Sequence, residues 1–201
     1  MLDRGSIVKV DNDLPLHEAA LFGCAVITGA GAVINTARIL PGDSVAIVGL
    51  GGVGLSGLLG AVLGGAETIV AIDLSDEKLG LARQLGATHT VNATDANHVE
   101  QVRDITDGGV DFAFDLAGTI KAMETAYNVT RYGGSVVTAG LSPSAANFSF
   151  NQSNLVSQEK SIRGSYMGSC VPVRDIPRFI SLYRQGRLPV DRLVDLSLIH
   201  I

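Results

Sequence analysis

The chain has 201 residues, 46% of them hydrophobic and 17% charged, with a formal net charge of −5. That suits one full α/β domain plus part of another, and the acidic balance leaves no electrostatic footprint for a nucleic-acid partner. Two cysteines far apart, Cys24 and Cys170, make no disulfide framework.

The opening "MLDRGSIVKVDND" carries neither a basic leader nor an apolar core, so a cytoplasmic location is expected. A short helical segment follows, with His17 beside Glu18. Cys24, in "GCAVITG", would by residue type alone be a small core hydrophobe. The run from Ser44 to Ala66 has no charged side chain and, as a helix, would reach about 34 Å, enough to cross a bilayer. Eight of its residues are glycine, its flanks Asp43 and Glu67 are acidic, and aromatic anchors are missing, so a membrane span is rejected.

A strand, a turn and a buried helix explain this run better. Ser44 to Val48 reads as a fully buried strand. Gly49-Leu50-Gly51-Gly52-Val53-Gly54 then fits G-x-G-x-x-G and opens a helix at about Val53 to Leu63. Gly49 permits the tight turn, Gly51 lets a pyrophosphate approach the main chain, and Gly54 lets the helix pack close to the strand. The helix N-terminus offers unpaired N–H groups and partial positive charge to the phosphates. The next strand, "TIVAID", ends in Asp73, 24 residues after Gly49, where a carboxylate would accept from an adenosine ribose.

Strand and helix keep alternating, as a parallel sheet requires. "SDEKLGLARQLGA" is a helix with Ser75 as its N-cap and Gly86 as its stop, "THTVN" a strand, and "NHVEQVRDITDGG" a helix closed by glycines. "VDFAFDLAG" is a strand, "TIKAMETAYNVTRYGG" a helix ending in a turn, "SVVTAGL" a strand and "SIRGSYMGS" a sixth. "VRDIPRFISLYRQGRLPV" is an amphipathic helix stopped by Gly186. The expected fold is a doubly wound parallel sheet, a Rossmann domain, with ligand at the carboxyl ends of its strands. His17, His89 and His98 have no metal-ligand spacing and read as surface or packing residues.

These residues carry a family resemblance. The stretch from "GCAVITGAGAVINTARILPGDSVAIVGLGGVG" through "AIDLSDEKLGLARQLGATHTVN", with "GGVDFAFDLAG", "GGSVVTAGL" and "GSYMGS", resembles the zinc-dependent alcohol dehydrogenases of the medium-chain dehydrogenase/reductase superfamily. The resemblance implies a GroES-like catalytic domain holding zinc, a Rossmann domain holding NAD, and hydride transfer between an alcohol or aldehyde and the nicotinamide. It divides the chain into residues 1–25 as a remnant of the catalytic domain, 26–172 as the NAD-binding domain and 173–195 as a helix and linker. Two zinc ligands, the proton relay and the cysteine-rich structural-zinc lobe have no counterpart in this sequence, which therefore reads as part of a homo-oligomeric enzyme, a dimer or tetramer when intact. The last six residues, 196–201, "LSLIHI", depart from the family and read as an adapter-derived tail, with an ordinary strand as the alternative.

The site residues carry over by position. Cys24 stands where the family places its third catalytic zinc ligand, and Thr28 matches a threonine at the nicotinamide. Gly49, Leu50, Gly51, Gly52, Val53 and Gly54 match the phosphate turn, and Asp73 and Lys78 an acid and a lysine around the adenosine ribose. Leu116, Ala139, Gly140, Leu141, Tyr166 and Met167 fall where strand ends line the nicotinamide pocket. Leu74, after Asp73, stands where an NADP enzyme more often has a basic or small polar residue. Two other readings stay open: a zinc-free quinone or enoyl reductase of the same superfamily, which Cys24 and Asp73 disfavour, and a non-catalytic dinucleotide-sensing domain. A methyltransferase is disfavoured by six strands in two halves.

Overall fold

The computed structural model describes residues 7–193, so the expected tail at 196–201 lies outside the described residues. Apolar runs rich in valine and isoleucine form β1 (Ser44–Val48), β2 (Thr68–Asp73), β3 (His89–Asn92), β4 (Val110–Asp115), β5 (Thr130–Thr138) and β6 (Ser161–Gly164). They join into one parallel sheet of order β3-β2-β1-β4-β5-β6. The order reverses between β1 and β4, and the carboxyl ends of those two strands frame a crevice. The doubly wound expectation is met.

Side chains alternate across each strand and so feed two cores. Val45, Ile47, Ile69 and Ala71 face a core shared with α1 (Leu16–Ala37), α2 (Gly52–Gly64), α3 (Asp76–Gln84) and α7 (Pro172–Arg184). Ala46, Val48, Val70 and Ile72 face the other, with α4 (His98–Ile105) and α5 (Ile120–Val129). The uncharged run Ser44–Ala66 is thus β1, a turn and all of α2, as the sequence predicts. Ser75 caps α3 by accepting from the Lys78 N–H, and Gly186, at φ 70°, ends α7.

Three features differ from expectation. The first is α1, one 22-residue helical run in place of a short segment, with turns widened to π geometry at Phe22–Val26 and Ala32–Ala37. By length and composition it could cross a membrane, but half of its most apolar stretch is buried in this fold. It runs unbroken through residues 25 and 26, where the sequence suggested a domain boundary. Residues before that point share the main core: Phe22 packs on Tyr183, whose hydroxyl donates to Glu18 at 2.6 Å, and Arg184 pairs with Asp11 and Asp13. The second is β5, which begins at Thr130 because "RYGG" is a bulge within the strand; its register shifts between Val110 and Phe112. The third is an extra helix, α6 (Gln152–Ser157), capped by Asn151.

Glycines explain how α1 packs so closely. A β-carbon at Gly29 would clash with the Val53 carbonyl oxygen and stand 2.7 Å from the Gly57 nitrogen. One at Gly60 would stand 2.9 Å from the Ala30 α-carbon. The α1–α2 seam is therefore backbone on backbone.

On the opposite face, Lys160 is only 7% exposed. Its ammonium donates to the Tyr127 carbonyl at 3.0 Å, near the end of α5, and sits 4.7 Å above the Tyr127 ring. Burial, with the Arg103 charge adding to it, pushes its pKa down to about 8.

Two predictions follow from this packing. Gly29→Ala should cost about 2–3 kcal/mol by overpacking the seam. Gly80→Ala, inside α3 with open space around it, should gain about 0.5–1 kcal/mol of helix propensity. Urea unfolding of both variants checks the pair. For Lys160 the folded state releases its proton at about 8, whereas the unfolded chain holds it to the usual 10.5. Below that window both states are charged and stability is flat; within it, stability rises with pH. The stability of the parent relative to Lys160→Met should therefore improve between pH 8 and 10, as measured by urea unfolding across that range.

Candidate cofactor site

The turn from β1 into α2 is held by its own main chain. Gly49 has φ 91°, and its N–H donates to the Ile72 carbonyl at 2.8 Å. A β-carbon there would stand 2.6 Å from the Ala117 methyl, and one at Gly54 would clash with the Gly49 carbonyl oxygen. Gly51 caps α2 in an extended conformation, and no side chain caps the first turn. The first N–H groups of a helix have no partner within it, so those of α2 are left for a ligand or solvent. Such a turn accepts an anion without rearrangement.

Asp73 ends β2 beside this turn. One carboxylate oxygen accepts the Leu50 N–H at 2.7 Å and the other the Ser75 N–H at 3.0 Å. The acid thus braces the glycine turn as well as facing the cleft. That cleft, of about 730 Å³, is lined by Gly49, Asp73, Leu74 and Lys78 on one side and by His98 and Thr119 on the other. It lies at the carboxyl ends of β1 and β2, where Gly49 opens the glycine turn, and is large enough for a nucleoside.

Sequence reasoning missed the far wall. His98, a surface or packing residue by sequence, lines the cleft from the start of α4. Its Nδ1 lies 2.8 Å from the Asp95 carbonyl and its Nε2 3.0 Å from the Thr125 hydroxyl on α5. A neutral ring satisfies both, donating to the carbonyl and accepting from the hydroxyl. Ala93, Val99, Ala117 and the first turns of α5 also line this wall, and no local motif announces any of them.

The other positions divide. Leu50 is fully buried, and Leu116 is turned against the backbone of Gly57, so a ligand would meet chiefly their main chain. Thr28 lies one turn beyond Cys24 on α1, whose Ala25 faces Gly52 of the turn. Gly168, next to Met167, sits directly on the Ile27 carbonyl, so the 167–168 turn and Thr28 share one neighbourhood. Ala139 packs on the core and Gly140 against Gly118. Leu141 and Tyr166 are 83% and 79% exposed, and neither lines the cleft.

Cys24 is exposed, not the core hydrophobe that its residue type suggests. Among the described residues no group of three or more His, Cys, Asp or Glu side chains could hold a metal, so this chain's described residues do not complete a zinc site. Cys170 is half-buried and packs against the core, with Asn35 donating to its sulfur at 3.2 Å. Burial and the nearby Asp175 charge raise its pKa to about 11.

A family model described as zinc-binding dehydrogenase matches residues 52–185. Alcohol dehydrogenase 1 of Trifolium repens is 34% identical over 98% of this chain, which spans 53% of that protein. Among solved structures, benzyl alcohol dehydrogenase from Acinetobacter calcoaceticus superposes with a TM-score of 0.89 at 37% identity, covering 92% of this chain and 51% of that one. An alcohol dehydrogenase zinc-binding domain protein from Burkholderia ambifaria gives 0.88 at 36% identity, covering 92% and 50%. The chain spans about half the length of these relatives.

Proposed function

The chain belongs to the zinc-binding dehydrogenase family, and we propose that it forms the NAD-binding part of a cytoplasmic, homo-oligomeric alcohol dehydrogenase. The observation that carries this reading is the single cleft shared by Gly49, Asp73 and Lys78, with Gly49 opening a turn into a helix that no side chain caps. The turn fits a dinucleotide: the first N–H groups of α2 meet the pyrophosphate, and the helix dipole favours its charge. Asp73 accepts from the ribose hydroxyls, Lys78 adds a positive charge at the same rim, and the exposed Leu74 offers nothing to a 2′-phosphate.

When bound, NAD supplies the hydride acceptor for an alcohol, or the donor for an aldehyde in its reduced form. Thr28, the backbone at Leu116, Ala139 and Gly140, and the turn at Tyr166-Met167 hold the nicotinamide end. Leu141, though exposed, stays assigned to that end with them. Cys24 is assigned as one zinc ligand of the complete enzyme. The remaining ligands would come from outside this chain, so no chemical step is derived through the metal.

Calorimetry on this chain tests the cofactor assignment. One pair of unit charges at about 4 Å costs up to roughly 4 kcal/mol at an effective dielectric of 20. Screening at the rim should reduce that to roughly 10- to 100-fold in affinity. NAD(H) should therefore bind more tightly than NADP(H) by that factor. Asp73→Ser should weaken NAD(H) and narrow the gap, since it removes both the ribose acceptor and the brace on Leu50. Equal affinities in the parent would refute the role of Asp73.

A further inference from the structure

Asp115, at the end of β4, is a carboxylate that the proposed chemistry does not use, and it is 2% exposed. A buried acid of this kind needs hydrogen-bond donors for its oxygens. One of its oxygens accepts the N–H groups of Ala117 and Gly118, both at 3.2 Å. The other accepts the Thr138 hydroxyl at 2.8 Å, from the end of β5. Its own carbonyl accepts the Ala139 and Gly140 N–H groups at 3.0 and 3.2 Å. One residue thus joins the loop after β4 to the loop after β5.

The junction has no slack. A β-carbon at Gly140 would clash with the Gly118 backbone, and one at Gly118 would stand 3.0 Å from the Leu141 nitrogen. The Ser142 hydroxyl donates to the Gly118 carbonyl at 3.1 Å. Leu116 is anchored to β1 through its N–H on the Val48 carbonyl at 2.9 Å. Every bond Asp115 makes therefore fixes backbone that carries Leu116, Ala139, Gly140 or Leu141, the positions assigned above to the nicotinamide end.

We propose that Asp115 is a positioning residue for the nicotinamide half of the cofactor: it locks together the loops after β4 and β5 and touches neither the cofactor nor the reacting atoms. The proposal rests on the NAD-binding reading given above. It requires the geometry of the acceptor, not its charge. An asparagine can still accept from Ala117 and Gly118 through its oxygen, and its amide can donate to the Thr138 hydroxyl, which also accepts. An alanine leaves all three donors without a partner.

The test compares NADH with ADP, which lacks the nicotinamide half, by titration calorimetry on this chain. Asp115→Ala should lose roughly tenfold or more for NADH while ADP falls by less than about threefold. Asp115→Asn should restore NADH binding to within about threefold of the parent. If Asp115→Ala fails to fold, Thr138→Val serves, because it keeps the acid and removes one donor. It should weaken NADH by roughly threefold and leave ADP unchanged. Equal losses of NADH and ADP in Asp115→Ala, or in Thr138→Val where that variant serves, would reduce Asp115 to general support of the fold. An Asp115→Asn variant no better than Asp115→Ala would make charge, not position, the cause. Either result overturns the proposal. A parent that binds neither ligand would instead defeat the NAD-binding reading itself.

Discussion

The carbonyl oxygen of Gly49 occupies the space that a β-carbon at residue 54 would need, and the crevice takes its shape from this contact. The helix after β1 starts almost on top of the strand, so its first N–H groups open at the strand's carboxyl end and not to the side of the sheet. Ala117, from the other side of the topological switch, closes on Gly49 in the same way. With glycine at 49 and 54, where a β-carbon would collide with Ala117 and with the Gly49 carbonyl oxygen, the turn between β1 and α2 is tightly constrained. Pre-organisation of this kind spares a ligand the cost of ordering the loop.

Two carboxylates extend that rigidity outward. Asp73 and Asp115 end the strands on either side of β1; Asp73 uses both oxygens on main-chain N–H groups, and Asp115 uses one on main-chain N–H groups and the other on the Thr138 hydroxyl. Hydrogen bonds from backbone N–H groups to an ionised acceptor are among the stronger ones in proteins. Acids at these strand ends therefore do structural work in an otherwise acidic chain, where more negative charge would by itself repel a dinucleotide. The uncapped N-terminus of α2 and Lys78 supply the opposing positive potential.

Much of this was legible locally. The strand–turn–helix from Ser44, the acid at Asp73, the Ser75 cap and the Gly186 stop depend on residues close in sequence, and each was read from its own neighbourhood. The length of α1 was not, because Gly23, Gly29 and Gly31 break its helical pattern; Gly29 and Gly31 are there for a tertiary reason, the approach of α2 and of the turn at Gly168. The "RYGG" bulge reads as a turn because glycines signal both. The wall of His98, Thr119 and Thr125 is built by α4 and α5, far along the chain from the glycine turn, and only the completed sheet brings it there. Asp115 is likewise silent in sequence, since its partner Thr138 becomes a neighbour only through the pairing of β4 with β5.

Helix α1 links these local pieces to the face that carries Cys24. One side of it, through Leu21, Phe22, Val26 and Ile27, belongs to the main core. Its other side exposes Cys24, within a segment widened to π geometry, a distortion common at functional sites. Between the two, Gly29 rests on the Val53 carbonyl and Ala25 faces Gly52. A shift of α1 along its axis would drive Gly29 into the Val53 carbonyl, backbone that cannot rotate out of the way as a side chain can. The helix that displays Cys24 and the start of α2 are therefore held in their relative placement by steric exclusion and not by any single attractive contact.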